Sequence, residues 1–299
     1  MNQTPKKIKI VEVGLRDGLQ NEQILLKTNR KLDLINKLSN TGLTHLEITA
    51  FVNPKWIPAL YDHEKILQTY KKNKDIVYQV LVPNLIGYEK LKKYEFDEFS
   101  IVLSASNTHN IKNTNQSINE ALRSYKKLAQ QAQSDKKPFR TYISCAFGCP
   151  YEGKIDSKII IDISKKMLDM GASELSISDT IGIANPQQTQ DLVCELKEHI
   201  PIDKIALHMH DTRNMALTNI FTAIQHGVST FDSSFGGLGG CPYAYGAAGN
   251  VSTEDLVSML YSMNIETSVN IDKLCEVSLS VQKILNKKLP SKILAIYNK

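Results

Sequence analysis

Residues 174–210 read ELSISDTIGIANPQQTQDLVCELKEHIPIDKIALHMH, one complete strand–helix–strand unit. Glu174–Ser178 is a β-rich run, and Asp179-Thr180 follows it. Pro186–His199 has helical periodicity and opens on a proline, where a missing N–H costs little. Ile205–His208 returns to strand. The same alternation extends in both directions. Strand candidates upstream are Ile8–Val13, His45–Thr49, Val77–Val82, Phe99–Leu103 and Arg140–Ser144, and Ser229–Phe231 lies downstream. Helical patterns fill the gaps at Asn115–Ala132, Ser157–Met170 and Thr212–His226, and Leu32, Ile35, Leu38 and Ser39 share one helical face. Gly42, Gly171 and Gly227 each follow a helical run, as glycines past a helix C-terminus do.

Strand then helix, repeated eight times, predicts an α/β fold of the (β/α)8 TIM-barrel type. A doubly wound open sheet is the competitor, but its glycine fingerprint after the first strand is missing: Gly14 and Gly18 are present without GxGxxG. One catalytic domain is expected, with the barrel over about 7–265 and a helical extension over about 266–299. That extension holds a helix at Cys275–Leu285 and then a polar tail.

Composition narrows the function. The 299 residues are 42% hydrophobic and 22% charged, an ordinary globular balance that excludes disorder and coiled coils. The formal charge of +5 is scattered, with no long basic tract, so no nucleic-acid partner is expected, and the mild positive field suits an anionic small molecule. Five cysteines, an odd number, argue against a complete disulfide framework. Cys145 and Cys149 are four apart, which is not a CxxC knuckle. No run of 18 apolar residues and no signal-peptide core appears, so no membrane association and a cytoplasmic location are expected.

Chemistry in such a barrel belongs at the C-terminal ends of the strands. Arg16, Asp17 and Gln20 follow the first strand, Glu47 lies in the second, and Asp179 follows the sixth. His208 and His210 end the seventh, and Asn250 and Glu254 lie beyond the eighth. His208 and His210 are two apart, so both imidazoles project from one face of their strand. The first and eighth strands are neighbours in a closed barrel, so Asp17 and Asn250 converge on them. That mixed N/O set suits one of Mg²⁺, Mn²⁺, Co²⁺ or Zn²⁺, the alternative being two satisfied core histidines. Arg16 offers a permanent cation for an oxyanion, or else an ion pair with Glu12, Glu47 or Asp179. Glu12 and Glu47 are charges inside strands, expected to bond Arg16 or a metal-bound water. Cys241 rides on the Gly236–Cys241 run GGLGGC, a segment able to close over a site, as an acid, a nucleophile or an inert thiol.

These pieces resemble the 3-hydroxy-3-methylglutaryl-CoA lyases, metal-dependent aldolase-like barrels related to the isopropylmalate and homocitrate synthases. The resemblance is carried by Val13–Glu22 (VGLRDGLQNE), Leu46–Thr49 (LEIT), Pro54–Pro58 (PKWIP) and Ser144–Gly153 (SCAFGCPYEG). Ser178–Gly182 (SDTIG), His208–Thr212 (HMHDT), Gly236–Ala244 (GGLGGCPYA) and Gly249–Asp255 (GNVSTED) complete it. It covers roughly Lys7 to Leu285. It implies cleavage of an acyl-CoA to acetyl-CoA and acetoacetate, Mg²⁺ or Mn²⁺ as cofactor, and a homodimer. It further implies that Asp17, His208, His210 and Asn250 bind metal, and that Arg16, Asp17, His208 and Cys241 are catalytic. Gln20, Glu47, Asp179, Glu12 and Glu254 fall in supporting or substrate-side positions. Three departures bear on the acyl group: Ala50 and Asn53 replace two serines, and Arg213-Asn214-Met215 replaces the usual Tyr-Gly-Gln. A lyase for another 3-hydroxyacyl-CoA and a Claisen-type synthase are the alternative readings, with a non-enzymatic scaffold behind them.

Overall fold

The computed structural model describes residues 4–241 and 244–297, with backbone only over 241 and 244–248. Eight parallel strands close into a barrel: β1 (Lys9–Glu12), β2 (His45–Ala50), β3 (Val77–Leu81), β4 (Glu98–Ser104), β5 (Phe139–Ser144), β6 (Glu174–Asp179), β7 (Ile205–Met209) and β8 (Thr230–Ser233). The order is sequential, and β8 returns to β1 in register Lys9↔Thr230 through Glu12↔Ser233. β5 and β6 are buried along their whole length, as parallel strands covered on both faces must be.

The helical layer consists of α1 (Thr28–Leu38), α2 (His63–Thr69), α3 (Leu85–Leu91), α4 (Asn107–Thr114), α5 (Ile118–Ser134), α6 (Ser157–Asp169), α7 (Pro186–Lys197), α8 (Ala216–Gln225) and α9 (Thr253–Ser262). In α5, Ala121, Leu122, Tyr125, Leu128, Ala129 and Ala132 form the buried stripe. Its start lies three residues later than the hydrophobic pattern predicts. Asn115 takes a left-handed conformation that ends α4, and Ser117 and Glu120 close a reciprocal capping box. α8 likewise begins at Ala216 rather than Thr212, because Asn214 has positive φ and Asp211 accepts the Ala216 N–H at 3.0 Å. Gly42, Gly171 and Gly227 all have positive φ, as their positions after helices predict. Gly42 is also fixed by space: a β-carbon there would lie 1.9 Å from the Ser268 carbonyl oxygen.

The C-terminal region is more helical than its sequence suggests. α10 (Ile271–Leu285) starts at the Asn270 cap, and the polar tail contains α11 (Lys292–Tyr297). Its connecting turn packs on the barrel mouth, where β-carbons at Gly236 and Gly237 would meet Leu289 and Pro290 at 2.4 and 2.9 Å. The Ser291 N–H donates to the Gly236 carbonyl at 3.3 Å. Asp255 accepts from the Ser291 hydroxyl and from the Lys292 and Ile293 N–H groups. Among the described residues, no helix is long and apolar enough to cross a membrane.

Candidate active site

β1 runs into a wide turn, Gly14–Gly18, in which the N–H groups of Arg16, Asp17 and Gly18 all approach the Val13 carbonyl. A turn this wide carries two adjacent charged side chains into the barrel mouth, and both are buried. The Asp17 carboxylate accepts from Arg16, from Gln20 at 2.9 Å and from Asn250 Nδ2 at 2.8 Å. His208 Nε2 lies 3.8 Å from Asp17 Oδ2 and 3.2 Å from His210 Nε2. Burial alone would raise Asp17, but Arg16 and the two imidazoles outweigh it and hold the acid at about 2. Burial, reinforced by His208 and opposed by Asp17, lowers His210 to about 4, so its imidazole is neutral near pH 7.

Asp17, His208 and His210 thus bring one donor atom each within 4.8 Å of the others. Two Nε2 atoms face each other, and His210 Nδ1 is buried without a hydrogen-bond partner. Converging donors of this kind suit a cation between them. The residues present therefore fit a divalent ion with nitrogen and oxygen ligands. Asn250 reaches the cluster because Asp211 N–H donates to the Gly249 carbonyl at 2.6 Å and Val251 N–H to the Met209 carbonyl at 3.1 Å, seating 249–251 beside β7. Its amide presents nitrogen to Asp17, and a ligand role requires that amide to turn over.

Arg16 Nε donates to Glu47 at 2.5 Å, and its guanidinium stands 5.2 Å from the Tyr142 ring centroid. Burial opposes its charge, but Glu47 and Asp17 more than compensate and keep it cationic. Glu47 also accepts from Ser100 and from the Tyr142 hydroxyl at 3.2 Å.

Three predicted carboxylates lie away from the cluster. Glu12 corrects the expectation of a bond to Arg16, which it does not make. It accepts from Gly14 N–H, Phe235 N–H and Thr253, tying β1 to the segment after β8. Burial pushes it up to about 8 despite those donors. Asp179 accepts the N–H groups of Ile183 and Ala184 at 3.0 and 2.9 Å, so it shapes its own loop. Glu254 accepts the Gly236 N–H, Ser252 at 2.8 Å and Ser278 of α10, clasping the root of the glycine run. The run itself ends in a two-stranded ribbon, β9 (Gly240–Cys241) with β10 (Ala244–Ala248). The Cys241 side chain lies outside the described residues.

Sequence reasoning missed Asp232, Arg140 and Tyr142. Asp232 is the cross-strand partner of His208 and accepts from its Nδ1 at 3.3 Å. The predicted β8 stopped at Phe231, one residue short. Arg140 and Tyr142 share one face of β5, and a charge buried in mid-strand was the available signal.

A family model described as HMGL-like matches residues 7–281. Hydroxymethylglutaryl-CoA lyase YngG of Bacillus subtilis is 45% identical over 98% of this chain and 98% of its own. The mitochondrial hydroxymethylglutaryl-CoA lyase of Homo sapiens is 45% identical over 98% and 90%. Among solved structures, the Bacillus subtilis HMG-CoA lyase superposes with a TM-score of 0.98 at 45% identity, covering 99% of each chain. An HMG-CoA lyase from A. baumannii, in complex with coenzyme A and 3-methylmalate, gives 0.93 at 37% identity over 99% and 96%.

Proposed function

The chain belongs to the HMGL-like family, and on that membership we propose the following account of its chemistry. The protein is a carbon–carbon lyase that cleaves 3-hydroxy-3-methylglutaryl-CoA to acetyl-CoA and acetoacetate. The observation that carries the mechanism is the convergence of Asp17, His208 and His210 beside Arg16 at the barrel mouth.

The substrate has a tertiary hydroxyl β to its thioester. When that hydroxyl loses its proton, the oxygen pair becomes a ketone carbonyl and the C2–C3 bond breaks. The released pair delocalises from C2 onto the thioester oxygen, and C2 then takes up a proton. Asp17, His208, His210 and Asn250 would hold Mg²⁺ or Mn²⁺, which eases loss of the hydroxyl proton as a Lewis acid. Asp17 would take that proton, and His208 would act on the reaction through the cation that it helps to hold. Arg16, held by Glu47 and Asp17, meets the charge on the thioester oxygen. Cys241, at the end of the glycine run, would deliver the proton to C2. Gln20 steadies Asp17, while Glu12, Asp179 and Glu254 hold the loops that frame the pocket. Residues 7–265 act as one catalytic domain, with 266–299 as its brace, in a cytoplasmic homodimer.

A coupled assay of acetoacetate release from this thioester, with and without chelator and across other 3-hydroxyacyl-CoA thioesters, tests the reading. Chelator-sensitive turnover fastest on the 3-methylglutaryl substrate is expected. Equal turnover after complete metal removal would overturn the metal mechanism.

A further inference from the structure

Beneath the site, charged side chains form a line through the barrel interior. Lys9 at the start of β1 pairs with Glu174 of β6 at 2.5 Å. Arg140 pairs with Glu174 at 2.9 Å and sends both terminal nitrogens to one oxygen of Asp232, Oδ1, at 2.9 and 3.0 Å. Asp232 Oδ2 accepts from Ser176 at 2.7 Å and faces His208 Nδ1 at 3.3 Å. Arg140 and Asp232 are at most 1% exposed.

We propose that Arg140 and Asp232 are positioning residues that dictate which nitrogen of His208 faces the metal cluster with a lone pair. The inference rests on the reading of Asp17, His208 and His210 as a metal centre. A carboxylate can only accept, so Nδ1 must carry the hydrogen it gives to Asp232. Nε2 is then left with its lone pair toward His210 and Asp17. Arg140 decides which oxygen does this. By occupying Oδ1 twice it fixes the rotation of the carboxylate and leaves Oδ2 to the imidazole. His208 also stands edge-on to the Tyr142 ring, at 86° and 5.7 Å between centroids, so its plane is held from a second side. Outer partners of metal-binding histidines commonly set ring orientation and tautomer in this way.

The arrangement makes Asp232→Asn an informative variant, because it keeps shape and reverses one atom's hydrogen-bonding sense. Arg140 donates, so it would hold the single amide oxygen at the Oδ1 position. The amide N–H₂ would then face His208 Nδ1 and force the lone pair there, sending the ring hydrogen to Nε2. Long-range ¹H–¹⁵N spectra of the metal-free full chain, with His208 assigned by its loss in His208→Gln, read the tautomer directly. Wild type should show Nδ1–H, and Asp232→Asn should show Nε2–H with Mn²⁺ affinity down about 10–100-fold by calorimetry. Adding Arg140→Met to Asp232→Asn frees the amide to turn and should restore Nδ1–H. Wild-type protein with hydrogen on Nε2, or an Asp232→Asn protein with an unchanged tautomer, overturns the proposal. The wild-type spectrum decides even where the variants fail to fold. Wild type that binds no Mn²⁺ sensitive to Asp17→Ala would instead overturn the metal-centre reading.

Discussion

Arg16 shows how a buried cation is kept ready for work: two carboxylates hold it from one side, and an aromatic ring covers another. Arg16→Lys retains the charge but loses the planar fork. If Arg16 meets charge only as the C2–C3 bond breaks, kcat should fall about 10²–10³-fold with KM little changed, and steady-state kinetics separate the two. Glu12 makes a different prediction, about stability. Its value of about 8 in the folded protein stands above the ordinary glutamate value of 4.5. The folded state therefore holds a proton that the unfolded state has released. That contribution is complete below about 4.5 and is lost as pH rises toward 8. Half-buried His45, lowered to about 4 by desolvation first and then by Lys9, gives the opposite slope below its ordinary value of 6.5. Urea midpoints between pH 6.5 and 8 lie above the His45 window, and Glu12→Gln should reduce the fall seen in wild type. A wild-type midpoint flat over that window would contradict the assignment.

At the scale of elements, strands and site-bearing turns were legible because their chemistry is local. The i, i+2 placement of His208 and His210 fixes a shared face wherever that strand sits. Asp232 was not legible, because its meaning comes from a neighbouring strand and from Arg140 across the barrel. The tail was misread for the same reason. Leu289 and Pro290 are unremarkable in sequence and matter only because Gly236 and Gly237 leave room beneath them. Their role is to fix the root of the segment that carries Cys241. Leu289→Gly with Pro290→Gly should loosen that root. We expect kcat to drop about 10–10²-fold, the scale of a misplacement of about 1 Å. Mn²⁺ affinity should fall much less than in Asp17→Ala, because Asp17, His208 and His210 hang on other elements and only Asn250, which donates to the Leu238 carbonyl at 3.2 Å, rests on this segment. Lost Mn²⁺ binding in that variant would show the brace supporting the whole mouth.

At the scale of the whole molecule, Asp17, His208 and His210 join the barrel's first turn to its seventh strand, so an ion held between them should stabilise the entire fold. An ion held only by the native state at a free concentration of about 100 times Kd adds about 2.7 kcal/mol. Thermal unfolding with Mn²⁺ should shift upward accordingly, and the shift should vanish in Asp17→Ala. Barrel closure was predictable from eight strand–helix units, but the polar line inside it was not, since hydropathy does not say which charges meet. The seam between β1 and β8 carries a last consequence, for synthesis on the ribosome. Lys9 leaves the ribosome long before Thr230, its partner across the seam, exists. At usual translation speeds the interval is roughly 10 to 45 s. Throughout it, one edge of β1 is an unsatisfied template that a chaperone must shield or a neighbouring nascent chain can capture.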